Sequence, residues 1–337
     1  MIFKNKTFLT ISAMVAIIVV VLIFASGFKK NYSEYKIQTF DSETGNSLFK
    51  LSDEFNFDEK QIMDSVIGNR SFKLPDEFYF AGERMPLENF DTRESLDREL
   101  LLTSYRHSST ILILKRAYRY LPLIEKILKE NNIPDDFKYL VATESEFSNV
   151  VSPAGAAGFW QIMAATGREQ GMEINSIVDE RYDLEKATRF ACNYFKKSYE
   201  KYNNWTLTAA SYNSGRARID EAIRVQKQNS YYDLLFVEET ARFIFRVAAY
   251  KLIMSDPAAY GFNIPEEDIY PELKYYEVKV DTTIKDLAAF ANRFGTNYKI
   301  LKHLNPWLRQ NNFTPQPRKS YMIKIPEEGM RNAGILE

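Results

Sequence analysis

Between residues 92 and 255 the apolar side chains recur three and four positions apart, a spacing that packed helices satisfy and strands do not. Over 110–130, Ile111, Leu114, Ala117, Tyr118, Leu121, Ile124, Ile127 and Leu128 form one stripe, and Pro122 is expected to interrupt it. Asp183 reads as the N-cap of a further helix whose buried stripe is Leu184, Ala187, Ala191, Tyr194, Phe195 and Ser198. Helices over 205–214, 217–228 and 237–255 follow, closed by Pro257 and Gly261. Residues 80–262 are therefore expected to form one all-helical domain.

The pattern changes after the proline-bearing stretch 268–271, which reads as a boundary. Tyr276, Val278 and Val280 alternate as in a strand, and Thr283-x-x-Asp286 resembles a capping box ahead of Leu287, Ala288 and Ala291. A second helix carries Ile300, Leu301 and Leu304, and residues 321–325 close the unit as a strand. Residues 275–326 thus predict a small strand-helix-helix-strand domain, and the chain as a whole is mainly α with an α+β C-terminal unit.

Upstream, 31–79 mixes aromatics with polar residues and has no sustained period, so it reads as a tether or lead-in. Residues 8–28 are continuously apolar, with Lys4 and Lys6 before them and Lys29 and Lys30 after, enough for about one membrane span. Residues 1–30 are expected to be a transmembrane anchor. A cleaved signal segment is the alternative, since Ala25-Ser26-Gly27 follows the apolar core. Either version places the body outside the cytoplasm.

With 44 basic and 45 acidic residues there is no global field to attract nucleic acid. Two histidines far apart, His107 and His303, and the single Cys192 argue against a zinc site or a disulfide framework. Cys192 falls in an apolar helical pattern and reads as a small core side chain. Carboxylates, hydroxyls and amides are left to do any chemistry, with no metal or cofactor expected.

One carboxylate stands out. Ile133-Pro134-Asp135-Asp136 marks a helix start, with proline at the first helical position and acids at the positive end of the dipole. Phe137, Leu140, Val141 and Glu144 then fall at i, i+3, i+4 and i+7, which puts Glu144 on the core face. Glu146 lies about 200° further round and points away. Burial disfavours the ionised form of Glu144 and prepares it as a general acid, although an ion pair with a buried arginine would satisfy the same placement. The following loop, with Pro153, Gly155 and Gly158 among alanines, leads into Trp160-Gln161 and suits close approach of backbone and amide to a ligand. Trp160 fits core packing and sugar stacking equally well. Asn213-Ser214-Gly215 also reads as a helix end.

Taken in order, Glu144-Ser145, then Ser152-Pro153-Ala154-Gly155-Ala156-Ala157-Gly158-Phe159-Trp160-Gln161-Ile162-Met163, then Ala210-Ser211-Tyr212-Asn213-Ser214-Gly215, then Glu239-Thr240, resemble the motif set of the soluble-lytic-transglycosylase type of enzyme. The resemblance implies a lysozyme-like helical fold over 80–262. It makes Glu144 the single catalytic acid and base, and places Ser145, Ser152, Gln161, Tyr212, Asn213 and Glu239 about a peptidoglycan glycan strand. Phe243 stands where that family usually carries tyrosine, so any hydrogen bond from that hydroxyl is lost. The C-terminal unit resembles a LysM peptidoglycan-binding module through Tyr276-Glu277-Val278-Lys279-Val280-Asp281-Thr282, Leu304-Asn305-Pro306 and Ile323-Lys324-Ile325-Pro326. It departs at Val280, where glycine is usual, and at Pro317-Arg318-Lys319, where a Pro-Gly turn is usual.

The implied reaction cuts the β-1,4 bond between N-acetylmuramic acid and N-acetylglucosamine and closes a 1,6-anhydro ring. Two alternatives stay open on sequence. One is a lysozyme-type hydrolase with a second acid such as Asp179 or Glu239. The other is a wall-binding anchor that keeps the fold without activity. The implied location is the cell envelope, with the catalytic body in the periplasm.

Overall fold

The computed structural model describes residues 71–332. Its first element is a hairpin of β1 (Phe78–Phe80) and β2 (Glu83–Met85), paired antiparallel with Phe80 opposite Glu83. The two turn residues, Ala81 and Gly82, have φ of 53° and 80°, the left-handed pair that matches the twist of a tight hairpin. Leu74, Phe78, Phe80 and Met85 are buried in the same core as the helices. The end of the expected tether is therefore part of the helical domain, a strand pair too short to leave an alternating signature in the sequence.

Helices α1 (Phe90–Tyr105) and α2 (His107–Glu130) follow. Pro122 does not interrupt α2, contrary to expectation. It sits on the exposed face, where water can take the carbonyl its missing N–H leaves free, while Ile113, Leu114, Ala117, Ile124, Ile127 and Leu128 keep the buried stripe continuous. A 3₁₀ turn at Asp135–Phe137 leads into α3 (Lys138–Ser145). Pro134 precedes that turn in extended conformation rather than occupying the first helical position. Asp136 is a tie between elements, since its Oδ2 accepts from the Ala81 N–H at 2.6 Å and from Lys251 Nζ at 2.7 Å.

After the short α4 (Ala164–Glu169) come α5 (Leu184–Tyr202), α6 (Trp205–Ser214), α7 (Arg216–Gln226) and α8 (Glu238–Ser255). Asp183 caps α5 as expected, accepting from Lys186 N. Asn204 caps α6, and Glu83 reinforces that terminus from the hairpin by accepting from the N–H groups of Trp205 and Thr206 at 2.6 and 2.9 Å. A carboxylate there suits the positive end of the dipole and fixes where α6 starts. Gly215, with φ of 83°, ends it. Helix α8 packs on α1, α3 and α6, with Phe243, Ile244, Val247 and Ala248 buried. Phe243 is a core residue.

The C-terminal unit is β3 (Tyr275–Val280), α9 (Leu287–Arg293), α10 (Tyr298–Leu304) and β4 (Tyr321–Pro326), with β3 and β4 antiparallel and Val278 opposite Ile323. This is the expected strand-helix-helix-strand order. The buried Asn305 joins α10 to β4, donating to Leu301 O and Lys324 O and accepting from Lys324 N. The cap of α9 is Asp286, which accepts from the N–H groups of Ala288 and Ala289, and not Thr283. Asp286→Ala should therefore lower urea stability by about 1 kcal/mol. Thr283→Ala is expected to change little, and the reverse ranking would return the cap to Thr283.

The boundary at 268–271 is fastened rather than free. Tyr270 N donates to Lys115 O, Arg119 donates to Pro271 O, and the cations of Lys115 and Arg119 lie over the Tyr270 ring at 5.0 and 5.3 Å. The two expected units accordingly form one compact body over the described residues. Among those residues no helix is long and apolar enough to cross a membrane, and the apolar run 8–28 lies outside them.

Candidate active site

Glu144 lies in the last turn of α3, with Phe137, Leu140 and Val141 buried beneath it as the helical spacing predicts. The residue is only partly covered, yet its Oε1 is fully buried and has no hydrogen-bond partner. Burial pushes the carboxyl up to about 8; the charge of Arg246 opposes that rise, and the charge of Glu239 adds to it. The alternative of a buried ion pair is not realised, because Arg246 acts on Glu144 through its field while Oε1 stays unpaired. Nε of Arg246 is likewise buried without a partner. Each of these buried polar atoms is left open for water or ligand.

Immediately after α3, Glu146 and Phe147 both adopt φ of 53°, which turns the chain sharply out of the helix. Glu146 points away from Glu144 and pairs with Arg106 at 2.7 Å. The loop beyond is held by its own polar groups. Ser152 Oγ accepts from Ala156 N at 3.1 Å, and Ala157 and Ile162 exchange backbone hydrogen bonds across a turn at Gly158 and Gln161. Gln161 donates its side-chain amide to Val150 O at 3.1 Å and Gly158 O at 2.9 Å, so it staples both arms of the loop.

The last turn of α6 meets this loop. Tyr212 donates its hydroxyl to Trp160 O at 2.7 Å, and burial together with the charge of Glu144 raises its ionisation well above the ordinary range. It stays a phenol. Asn213 donates to Glu239 Oε1 at 3.4 Å and accepts from Thr240 Oγ1 at 3.2 Å, tying the end of α6 to the start of α8. Glu239 is exposed in the first turn of α8, where the helix dipole favours its charge.

The structure thus gathers Glu144, Tyr212, Asn213 and Glu239, with Ser152 and Gln161 on the adjoining loop. Ser145 is the exception. It is buried, and its hydroxyl donates to Val141 O, which makes it a support of the helix end rather than a surface for ligand. Trp160 resolves as core: it is fully buried, donates to Thr188 Oγ1 and packs edge-on against Phe195 and Tyr212. Cys192 is a buried thiol pushed up to about 12 by its apolar surroundings, which leaves it inert. Arg246 escaped the sequence reading. Its signal was a cation seven residues after Glu239, hence on the same face of the helix. Asp179 is occupied: its carboxylate holds Arg181 through bonds of 3.0 and 2.7 Å, and both residues are buried.

Among the described residues, Glu144 is the one carboxyl with a buried, unpartnered oxygen, and it stands at the end of a short helix ahead of a glycine-bearing loop in a helical domain. Residues 122–235 match the transglycosylase SLT domain, and residues 276–329 match the soluble lytic transglycosylase C-terminal LysM-like domain. The chain thus contains a transglycosylase SLT domain followed by a LysM-like domain of the soluble-lytic-transglycosylase kind. It is 31% identical over 235 residues to membrane-bound lytic murein transglycosylase D of Escherichia coli strain K12, covering 67% of this chain and 50% of that one. It therefore spans about half the length of this curated relative. A putative tributyltin chloride resistance protein of Alteromonas is 29% identical over 129 residues, covering 38% of this chain and 62% of that protein. Among solved structures, the 70 kDa soluble lytic transglycosylase of Escherichia coli aligns with 18% identity and a TM-score of 0.36, over 58% of this chain and 34% of that one.

Proposed function

We propose that the chain cleaves the β-1,4 bond between N-acetylmuramic acid and N-acetylglucosamine in peptidoglycan, with Glu144 as the only acid and base. The observation that carries this reading is the buried, unpaired Oε1 of Glu144 beside Tyr212, Arg246 and Glu239, where burial raises the carboxyl to about 8. Still protonated near neutral pH, Glu144 donates its proton to the glycosidic oxygen as the bond to C1 breaks. The substrate's acetamido group supports the positive centre, and the Glu144 carboxylate so formed lies in the field of Arg246. That carboxylate then takes the proton of the muramyl 6-hydroxyl, whose oxygen bonds to C1 and closes the 1,6-anhydro ring. Glu144 ends as it began, and no water is consumed.

A hydrolase reading would need a second carboxylate or an activated water. Asp179 does not supply it, since its oxygens are spent on Arg181. Glu239 remains at the site, so the products decide. Mass spectrometry of digested peptidoglycan is expected to show anhydro-muramyl ends, and reducing ends heavier by one water would replace this reading with hydrolysis. Sedimentation with sacculi without any cleavage would make the chain a wall-binding anchor. We further propose that residues 8–28 link the body to a membrane and that it acts in the cell envelope.

A further inference from the structure

The C-terminal module and the loop beside Glu144 meet through one intermediate segment, residues 173–182. On the module side, the stretch after α10 lies against it as a short ladder. Asp179 N donates to Trp307 O at 2.9 Å, Arg309 N donates to Ile177 O at 2.8 Å, and Val178 bridges Leu308. Side chains add to the grip. Glu173 accepts from Tyr321 Oη at 2.8 Å and from Lys319 Nζ at 3.0 Å, and the Arg309 guanidinium lies 4.0 Å over the Tyr182 ring. Burial alone would raise the Glu173 carboxyl, yet the hydrogen bonds from Tyr321, Lys319 and Asn175 hold it below its ordinary range.

On the far side, the same segment holds the loop. The Arg181 guanidinium, fixed by Asp179, donates to Gly155 O at 2.9 Å and to Ile162 O at 3.1 Å. The backbone of Arg181 passes so close to Gly158 that a Cβ there would lie 1.9 Å from the Arg181 carbonyl oxygen. Ala157, in the middle of the loop, shares the module's own apolar core with Val178, Tyr182, Trp307 and Leu308. The chain of contacts is unbroken from β4 to Gln161.

We infer that the C-terminal module is a positioning element for the active-site loop, gripping residues 173–182 and through them fixing residues 155–162 beside Glu144. This rests on the glycan-cleaving reading above, and it assigns the module a task other than capture of the wall. Tyr321, Arg309 and Lys319 are positioning residues, since they reach the active-site loop only through Glu173 and Tyr182 of the intermediate segment.

The test is the full-length variant Arg309→Ala/Lys319→Ala/Tyr321→Phe, which removes side-chain contacts with 173–182 and leaves the module's apolar core intact. Hydrogen exchange at 155–162 is expected to quicken relative to α8. The kcat should fall about tenfold, equally on sacculi and on a short soluble glycan of alternating N-acetylglucosamine and N-acetylmuramic acid, with KM little changed. Unchanged exchange at 155–162 would overturn the inference. So would a rise in KM on sacculi with normal turnover of the soluble glycan, which is the behaviour of a tethering module. If the wild type cleaves neither substrate, the functional reading fails, and the exchange measurement still decides whether the module holds the loop. Should the triple variant not fold, Tyr321→Phe alone carries the same comparison with a smaller shift.

Discussion

Glu144→Gln is expected to abolish glycan cleavage, by about a thousandfold or more, and to make the folded protein more stable at neutral pH. Both effects have one cause. The amide keeps the shape of the neutral acid but has no proton to give and cannot take one back, so both halves of the proposed reaction are lost. Stability moves the other way because the folded state raises this carboxyl from 4.5 to about 8, so it binds the proton more tightly than the unfolded chain does. With the folded value the higher one, the favourable contribution is fully present below about pH 4.5 and is lost as pH rises through 8. At pH 7 the wild type therefore carries a penalty that the glutamine variant lacks, on the order of 1–3 kcal/mol. Urea melts at pH 7 and pH 4 check this: the variant should lead at pH 7, and its lead should vanish at pH 4. The same proton sets the activity profile, with cleavage falling on an alkaline limb near pH 8. A variant that cleaves normally would remove Glu144 from the mechanism. One that is inactive but gains nothing at pH 7 would mean the carboxyl is not held neutral by burial.

The position of Glu144 was legible because a helix repeats its faces, and three apolar neighbours at the right spacing fix the side a fourth residue takes. Caps were legible for a similar reason: Asp183 begins its helix through a side chain only three residues before the N–H it satisfies. At α9 the sequence pattern reads as a capping box opening at Thr283, whereas the helix starts three residues later with Asp286 as its cap. Pro122 misled because its cost depends on whether the freed carbonyl is buried, a tertiary fact. Ser145 was assigned ligand contact by resemblance and Trp160 fitted core packing and sugar stacking equally, whereas their partners, Val141 O and Thr188 Oγ1, lie within the fold. Arg246 and the Asp179–Arg181 pair illustrate the harder limit. Each acts on residues far away in sequence, and no periodic pattern encodes which carbonyls a guanidinium will reach. The docking of the module is of the same kind, because an alternating strand pattern says which face is buried and not against what.

Gly158→Ala is expected to be the most destabilising small substitution in the active-site loop, by about 3–5 kcal/mol, and to take activity with it. Gly155 provides the control, since both glycines hold left-handed backbone, with φ of 82° at Gly158 and 85° at Gly155, and share that strain. They differ in what surrounds them. A methyl on Gly155 meets nothing within 4 Å, so Gly155→Ala should cost only the backbone strain, about 1 kcal/mol. At Gly158 the methyl would lie 1.9 Å from Arg181 O and 2.9 Å from Arg181 C, inside the repulsive wall of a backbone carbonyl. That carbonyl is not free to retreat. Its own residue is tied to Asp179, Gly155 O and Ile162 O, and the segment behind it to Trp307 O. Relief must come from the loop, which moves Trp160 O off the Tyr212 hydroxyl now 2.7 Å away and loosens the Gln161 amide from Val150 O and Gly158 O. Urea melts of the two variants side by side, with turnover measured on each, separate strain from collision: equal losses would mean that the loop and the 173–182 segment are not in contact at Gly158 in solution.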